Sequence, residues 1–192
     1  MKTFKQYFNE NAASTMTLWH GGNLNDVYND SLQHKKGKWE YGPGLYLTTH
    51  YDTARGYSKG NRKLYQIVIE KGVDLADVLL DKQIVYDFIN SYLIGNKRKV
   101  IKDALVKFID QDKIPALVFL NLIINYNAIK ISQTNNLRKF LVNNGIDYSL
   151  VPNAFGWHEM MVVLFNMKKI ITITQIKSTD KIAEFDLPRE FK

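Results

Sequence analysis

The sequence predicts an α+β fold in which a block of helices interrupts a β-sheet. Residues 15–70 are rich in glycine, aromatic residues and short apolar runs, a pattern typical of strands joined by turns. From Val73 to Asn144 the apolar residues are spaced three and four apart, which is the period of a helix. Beyond Gly145 the β-branched residues return, most densely from Ile170 to Ile176. Two groups of strands therefore flank the helical block in the chain.

The elements of the first group follow from local patterns. Apolar runs and alternation predict strands at Met16–Trp19, Leu45–Thr48 and Lys63–Glu70. A helix is predicted over Asn23–Gln33, between the first two strands. A second, short helix follows the strand at Leu45–Thr48 and runs through Thr53 to Tyr57, with the carboxylate of Asp52 as its N-cap.

The helical block covers residues 74–144 and is punctuated by Gly95 and Pro115. Its most apolar window, Pro115–Ile131, contains Asn121 and Asn125 on one helical face, which favours a buried helix with one polar stripe over a membrane span. The residues expected to form apolar helical faces are Ile84, Phe88, Ile89, Val100, Leu105, Phe108, Leu137, Leu141 and Val142. Three strands follow, at Ile146–Val151, Glu159–Phe165 and Ile170–Ile176.

Composition restricts the kinds of site that the chain can build. With 192 residues, of which 45% are hydrophobic, we expect one domain over residues 15–192, preceded by a leader or flexible segment at residues 1–14. Because there is no cysteine, disulfides, thiolate metal sites and catalytic thiols are excluded. The formal charge of +7 favours an acidic partner, such as nucleic acid, an acidic protein surface or a phosphate-bearing ligand. The N-terminal residues lack the apolar stretch of a secretory signal.

The first segment with chemical potential is Leu18-Trp19-His20-Gly21-Gly22, at the end of a predicted strand. Glycine allows the backbone to approach a ligand, and the amide and carbonyl of Gly21 match the donor and acceptor of a planar carboxamide. On its own, this segment equally fits a hairpin turn with a surface histidine.

The second segment is YGPGLYLTTHYDTARGY, residues 41–57, in which eleven positions separate Tyr46 from Tyr57. A strand, a turn and a short helix can fold back within that span and bring the two rings to opposite walls of one slot. A planar ring between them would be held by stacking. Either tyrosine alone also fits a role in filling the core.

The third segment places Glu159 at the start of an otherwise apolar strand. Burying a carboxylate there is costly without a purpose or a partner, although an edge residue facing water is the simpler alternative. His158 and Glu159 are neighbours on a predicted strand and point to opposite faces, which makes them poor joint metal ligands. No HExxH motif or carboxylate pair supports hydrolysis by zinc.

Taken in order, these segments resemble the ADP-ribosyltransferases with a His-Tyr-Glu triad, a family that includes diphtheria toxin, the poly(ADP-ribose) polymerases and their bacterial relatives. The similarity covers roughly residues 16–70 and 135–177, including the LYQIVIE strand and the late Gly-Ile-Asp-Tyr segment. It implies a split β-sheet with the helical block, at about residues 74–144, inserted between its halves.

The resemblance also implies a site for NAD as co-substrate, with no metal. The triad would be His20, Tyr57 and Glu159. The nicotinamide would lie between Tyr46 and Tyr57, and the backbone of Gly21 would hold its carboxamide. His20 would bind a ribose hydroxyl on the adenosine side, and Glu159 would accept a hydrogen bond from the 2′-hydroxyl of the nicotinamide ribose.

Two departures from the family pattern narrow the implied activity. Many relatives have a serine that binds the carboxamide where this chain has Ala54, so Thr53 beside it is the alternative ligand. Trp157 stands two positions before Glu159, where arginine-modifying relatives with an Arg-Ser-Glu triad carry Glu or Gln, so arginine is a less supported acceptor. The resemblance implies an NAD-dependent mono-ADP-ribosyltransferase that modifies a protein or a nucleic acid and releases nicotinamide.

Three alternatives remain open at the level of sequence. An NAD glycohydrolase would use the same site, with water in place of the acceptor. A catalytically silent, basic nucleic-acid-binding or virion protein would keep the fold without the chemistry. Transfer of an RNA 2′-phosphate to NAD is less supported, because the paired arginines and histidines that grip phosphate in such enzymes are not evident.

Charge clusters and the N-terminus suggest partners and a setting. Basic residues gathered on one rim would attract the NAD phosphates or a DNA or RNA acceptor, although a solvated basic surface explains each cluster equally well. The clusters comprise Lys35, Lys36, Lys38, Lys59, Arg62, Lys63, Lys97, Arg98, Lys99 and Lys102. The first ten residues, MKTFKQYFNE, resemble the leaders that tailed-phage head proteases remove after a glutamate, here Glu10. This similarity implies a bacteriophage effector that acts in the cytoplasm of the bacterial host and is packaged in the particle; an amphipathic turn with Phe4 and Phe8 on one face is the alternative.

Overall fold

The computed structural model describes residues 14–24, 39–58, 63–154 and 159–177. Within these ranges it is an α+β structure, as the sequence predicts, with a six-stranded sheet in the order β6-β7-β2-β1-β3-β8 and a two-stranded sheet formed by β4 and β5. The strands are β1 (Thr15–Gly22), β2 (Leu45–Thr48), β3 (Lys63–Glu70), β4 (Leu79–Asp81), β5 (Lys113–Pro115), β6 (Tyr148–Pro152), β7 (Met160–Leu164) and β8 (Ile170–Ile176). The α-helices are α1 (Tyr51–Tyr57), α2 (Lys82–Tyr92), α3 (Lys97–Leu105), α4 (Ala116–Asn125) and α5 (Thr134–Asn143).

The strand predictions hold closely, and their errors lie at strand ends. The observed β2, β3 and β8 match the predicted bounds, whereas β1 extends to Gly22 and β6 begins at Tyr148. Glu159 precedes β7 instead of opening it. The predicted helix over Asn23–Gln33 falls, from residue 25 onward, outside the described residues, as do residues 1–13 of the predicted leader.

Three expectations about the helices are wrong. His50, not Asp52, is the N-cap of α1; Asp52 lies in the first turn, where its carboxylate is 3.6 Å from Arg55 Nε. Ile84 is exposed because the buried stripe of α2 consists of Val85, Phe88 and Ile89. Phe108 is exposed because α3 ends at Leu105 and a 3-10 turn rotates the following residues outward.

The polar stripe predicted for the most apolar helix is observed. In α4, Asn121 and Asn125 are exposed, whereas Phe119, Leu120 and Ile123 are buried. Among the described residues, no helix combines the length and the apolar character needed to cross a membrane.

Helices cover one face of the six-stranded sheet in two groups. Trp19 of β1 and Met161 of β7 are both in register with Thr48 of β2, so their side chains share this face. Here α1 packs Tyr51 and Ala54 against Trp19 and Leu64. The helical block packs on the same face, against Met161, Val163 and Phe165. The opposite face carries its own buried cluster, which includes Leu18, Leu47, Ile67 and Val162.

Backbone pairing between β1 and β2 is limited to one residue pair. These two strands, both described in full, share the single residue pair Trp19↔Thr48, whereas β1 and β3 share eight pairs and β2 and β7 share four. After Trp19, a side chain joins β1 to β2: the His20 imidazole forms a hydrogen bond with the Tyr46 carbonyl. The residues that follow Trp19 therefore lie at a gap between two three-stranded parts of the sheet.

Asp147, from the late Gly-Ile-Asp-Tyr segment, joins three pieces of chain. This buried carboxylate accepts hydrogen bonds from Val73 N at 2.9 Å and from Asn166 Nδ2 at 2.7 Å, and Lys169 Nζ lies 3.9 Å away. We expect Asp147→Asn to lower the free energy of unfolding by about 1–3 kcal/mol, because the new amide would turn a donor toward a donor. Urea unfolding measures this loss. Lys169→Met, which removes the long contact with Asp147 and the ion pair with exposed Glu70, should cost less than about 1 kcal/mol; equal losses in the two variants would contradict the assignment.

Candidate active site

Glu159 is buried with both carboxylate oxygens hydrogen-bonded. Glu159 is only 5% exposed. The Thr48 hydroxyl, at the end of β2, donates to Oε1. The Thr53 hydroxyl, in α1, donates to Oε2 at 3.0 Å. These bonds compensate for the water that the carboxylate loses on burial. The alternative of an edge residue facing water is wrong, because Glu159 is buried.

The backbone beside Glu159 is fixed by Thr49. Thr49 N donates to Met160 O at 3.0 Å, and Met160 N donates to the Thr49 hydroxyl at 3.0 Å. On the other side, Asn153 N donates to Glu159 O at 2.8 Å. The end of β2, the start of β7 and the end of β6 thus hold the main chain of Glu159 in place.

His20 presents a hydrogen-bond acceptor at the gap between β1 and β2. Its Nδ1 lies 2.9 Å from the Tyr46 carbonyl oxygen, which only accepts, so Nδ1 carries the hydrogen and Nε2 has a lone pair. Nε2 is buried and, among the described residues, has no hydrogen-bond partner. A β-carbon on Gly22 would lie 2.8 Å from Nε2, so a residue larger than glycine at position 22 would crowd the imidazole.

Burial also sets the charge of His20. It lowers the pKa of the imidazole below its usual value, although the hydrogen bond to the Tyr46 carbonyl acts in the opposite direction. The ring is therefore neutral near pH 7, which preserves the lone pair on Nε2.

This lowered pKa predicts a pH-dependent loss of stability. As the pH falls below about 6.5, His20 in the unfolded chain gains a proton that the folded protein excludes, so the free energy of unfolding decreases by up to about 1.4 kcal/mol per pH unit. Above that pH, both states are neutral and the contribution is constant. His20→Asn keeps an amide donor for the Tyr46 carbonyl but does not titrate. Between about pH 7.5 and about pH 5.5, the melting temperature of the wild type should therefore fall more than that of the variant; parallel curves would contradict the assignment.

Gly21 lies in backbone contact with α1. A β-carbon built on Gly21 would come within 1.9 Å of the Ala54 carbonyl oxygen and within 3.0 Å of Ser58 N. Only glycine permits this approach of strand and helix. The contact brings together Gly21 and Ala54, the two positions that the family resemblance links to a carboxamide.

The two predicted slot tyrosines differ in their surroundings. The Tyr46 hydroxyl donates to Gly42 O at 2.9 Å and accepts from Tyr41 N at 3.1 Å, and burial raises the pKa of Tyr46 above its usual value. Tyr57 is the last residue of α1 and is 49% exposed. The Tyr46 hydroxyl is thus fixed by two backbone groups, and Tyr57 presents ring surface to solvent. That the two rings enclose one slot remains a prediction.

Three direct contacts involve predicted site residues: Glu159 with Thr53, the His20 imidazole with the Tyr46 carbonyl, and Gly21 with the backbone of Ala54. That all six predicted residues form one site remains a prediction. The sequence analysis missed Thr48. Its position two residues after Tyr46, in a strand of alternating faces, is the signal that would have placed it on the helix-covered side of the sheet.

Several predicted features lie elsewhere or outside the described residues. Trp157 and His158 are outside them, and so are five of the clustered basic residues, at positions 35, 36, 38, 59 and 62. The cluster at Lys97 does begin a helix, α3, as expected. In the described ranges, no group of three or more His, Asp or Glu side chains is placed to hold a metal ion. A cavity of about 310 Å³, lined by residues 94–97 and 127–130, lies in the helical block and includes none of the predicted site residues.

Comparisons with known proteins add little to this geometry. The sequence matches no protein-family model. It also matches no curated protein. Among solved structures, an anti-CRISPR protein is similar at a TM-score of 0.40, with 13% sequence identity, over 85% of this chain and 97% of that chain. A similarity at this level carries no argument about fold or activity.

Proposed function

We propose that this protein is a mono-ADP-ribosyltransferase that cleaves NAD, releases nicotinamide and transfers ADP-ribose to a protein or nucleic-acid acceptor. The observation that carries the proposal is the buried Glu159 carboxylate, held by two hydroxyls close to the gap between β1 and β2. A fixed carboxylate in a site with little water is suited to stabilising positive charge.

The chemistry requires such a group. Breaking the bond between nicotinamide and ribose generates an oxocarbenium-like centre, as in glycoside cleavage. Each oxygen of Glu159 accepts one threonine hydroxyl and retains further lone-pair capacity. One oxygen can therefore accept the ribose 2′-hydroxyl while the negative charge faces the anomeric carbon. The electron pair of the broken bond leaves with nicotinamide, and the acceptor nucleophile forms the new bond to the same carbon and loses its proton.

His20 would accept a hydrogen bond from a ribose hydroxyl of NAD. A hydroxyl needs an acceptor for its hydrogen, and the neutral Nε2 of His20 is a buried acceptor without a partner in the described parts of the chain. A hydroxyl of bound NAD would give Nε2 a hydrogen-bond partner. A charged imidazole would instead offer a second donor, so the lowered pKa of His20 supports this role.

The nicotinamide end would be held by Gly21, Thr53 and the two tyrosines. The backbone of Gly21 would pair with the carboxamide, and the rings of Tyr46 and Tyr57 would stack on the pyridine ring, at about 0.5–1.5 kcal/mol per ring contact. The hydrogen of the Thr53 hydroxyl is donated to Glu159. Thr53 would consequently accept an N–H of the carboxamide and would not donate to its oxygen.

The acceptor and the setting belong to the same proposal. The charge of +7 supports an acidic acceptor, either nucleic acid or an acidic protein surface. The resemblance of the first ten residues to a phage leader supports a phage-encoded effector, packaged in the particle, that acts in the bacterial cytoplasm. Mass spectrometry of particles that shows an intact Met1 end would remove the packaging part alone.

The test is incubation of the wild-type protein with NAD labelled on the adenylate side. Parallel tubes contain host-cell lysate, purified oligonucleotides or buffer alone. Label on a macromolecule would support the transferase and identify the class of acceptor. Free ADP-ribose at the same rate in every tube would favour the glycohydrolase. Intact NAD throughout, with no shift in melting temperature on adding NAD, would favour a silent binding protein.

A further inference from the structure

We infer that Thr48 is a positioning residue for the reaction, because it orients Glu159 through a hydrogen bond whose direction the backbone fixes. This inference rests on the proposed function of Glu159. Thr48 is neither a member of the His-Tyr-Glu triad nor one of the residues predicted to hold NAD.

The direction of the hydrogen bond follows from counting donors. His50 N donates to the Thr48 hydroxyl oxygen at 3.0 Å. A backbone N–H can only donate, so it occupies a lone pair of the hydroxyl oxygen. The single hydrogen of that hydroxyl is then directed to Glu159 Oε1. The result is a chain of donors that runs from His50 N through Thr48 to the carboxylate.

The same counting shows that Glu159 is held from two sides. Thr53 donates to the second oxygen, Oε2, so each carboxylate oxygen has its own hydroxyl donor. Two donors on two different oxygens restrict rotation of the carboxylate about χ3, a torsion that otherwise has a broad range of accessible angles. The plane of the carboxylate is therefore set before a substrate arrives.

Thr48 is the more buried of the two donors and belongs to the sheet. It is 5% exposed and lies on β2, between Trp19 of β1 and Met161 of β7. Thr53, by contrast, is only partly buried on a seven-residue helix. Movement of α1 on substrate binding would shift Thr53, whereas Thr48 would stay with the sheet.

The consequence for catalysis concerns turnover more than binding. A carboxylate that rotates away from the anomeric carbon still leaves the contacts of the adenosine end and the nicotinamide ring in place. Charge develops only in the transition state, so a misaligned carboxylate lowers kcat with little change in the KM for NAD.

The test compares Thr48→Val with Thr48→Ser in assays of nicotinamide release. Valine has nearly the shape of threonine but lacks the hydroxyl, and serine retains it. We expect Thr48→Val to reduce kcat by about tenfold to a hundredfold with KM within about threefold of wild type. Thr48→Ser should stay within about threefold of wild type in both constants. Circular dichroism confirms that each variant is folded, and Thr48→Ala, which also lacks the hydroxyl, replaces the valine variant if that variant does not fold.

The outcomes separate this inference from the proposed function. Wild-type protein that releases no nicotinamide would overturn the proposed function and the role of Thr48 with it. An active wild type with an equally active Thr48→Val would overturn the positioning role alone. Loss of activity in serine and valine variants alike would show that packing, not the hydroxyl, matters. A raised KM with unchanged kcat would show that Thr48 contacts NAD directly.

Discussion

Replacing Glu159 by glutamine is expected to slow nicotinamide release from NAD by about a hundredfold to a thousandfold, with NAD affinity within about threefold of wild type. Glutamine keeps the shape of the side chain and removes the negative charge that faces the oxocarbenium-like centre. The contacts with adenosine and with the nicotinamide ring are unaffected, so the loss appears in kcat. Steady-state rates and calorimetric titration with NAD measure the two quantities separately.

The same substitution has a smaller effect on stability. Both threonines donate to Glu159, so the amide nitrogen of glutamine would face a hydroxyl hydrogen. We expect the free energy of unfolding to fall by about 1–3 kcal/mol, and the protein to remain folded at the assay temperature. Glu70→Gln is the matched control, since Glu70 is an exposed glutamate at the end of β3 that pairs with Lys169. A control as slow as Glu159→Gln, or a fully active Glu159→Gln, would remove Glu159 from the mechanism.

Replacing Gly21 by alanine is expected to impair both the fold and the binding of NAD. The added methyl group would lie 1.9 Å from the Ala54 carbonyl oxygen, so β1 and α1 would have to separate. Overpacking of this kind costs about 1–3 kcal/mol or more, and here the obstacle is backbone. The movement also displaces the Gly21 amide from the predicted carboxamide position, so we expect NAD affinity to fall at least about tenfold.

Gly56 offers the control within the same helix. A β-carbon on Gly56 would meet no atom within 4 Å, so Gly56→Ala is unhindered. Alanine is also the better helix former, which predicts a gain in the free energy of unfolding of up to about 1 kcal/mol. Chemical denaturation and calorimetric titration with NAD give both quantities for the two variants. If Gly21→Ala binds NAD as tightly as Gly56→Ala, the carboxamide site is not at Gly21.

The fold could be predicted where one local signal dominates. The strands β2, β3 and β8 were predicted residue for residue, because alternation or β-branched density defines both of their ends. At Asp52 the error is one of position: the helix begins at Tyr51, so His50 is its N-cap and Asp52 lies in its first turn. Phe108 followed the helical period but lies after α3 has already tightened into a 3-10 turn.

The candidate site could be predicted in its residue types but not in its connections. An acidic residue beside an apolar strand indicated a carboxylate that needs a partner, and Glu159 is buried as that argument requires. Its partners, Thr48 and Thr53, are 111 and 106 positions away in the chain; the pairing of β2 with β7 brings Thr48 to Glu159, and the position of α1 brings Thr53. Nothing in the spacing of two threonines indicates such a contact. Similarly, the buried Nε2 of His20, which has no hydrogen-bond partner among the described residues, depends on how β1 lies beside β2, which no single segment encodes.

The measurement that tests the central claim most directly is chromatographic detection of nicotinamide from NAD incubated with the wild-type protein, in the presence and absence of host-cell lysate. Nicotinamide is released whether ADP-ribose passes to a macromolecule or to water, so the result does not depend on knowing the acceptor. We predict release by the wild type, and release about a hundredfold to a thousandfold slower by Glu159→Gln. Intact NAD with the folded wild type in both conditions would contradict the assignment of Glu159, His20 and Gly21 to an NAD-cleaving site.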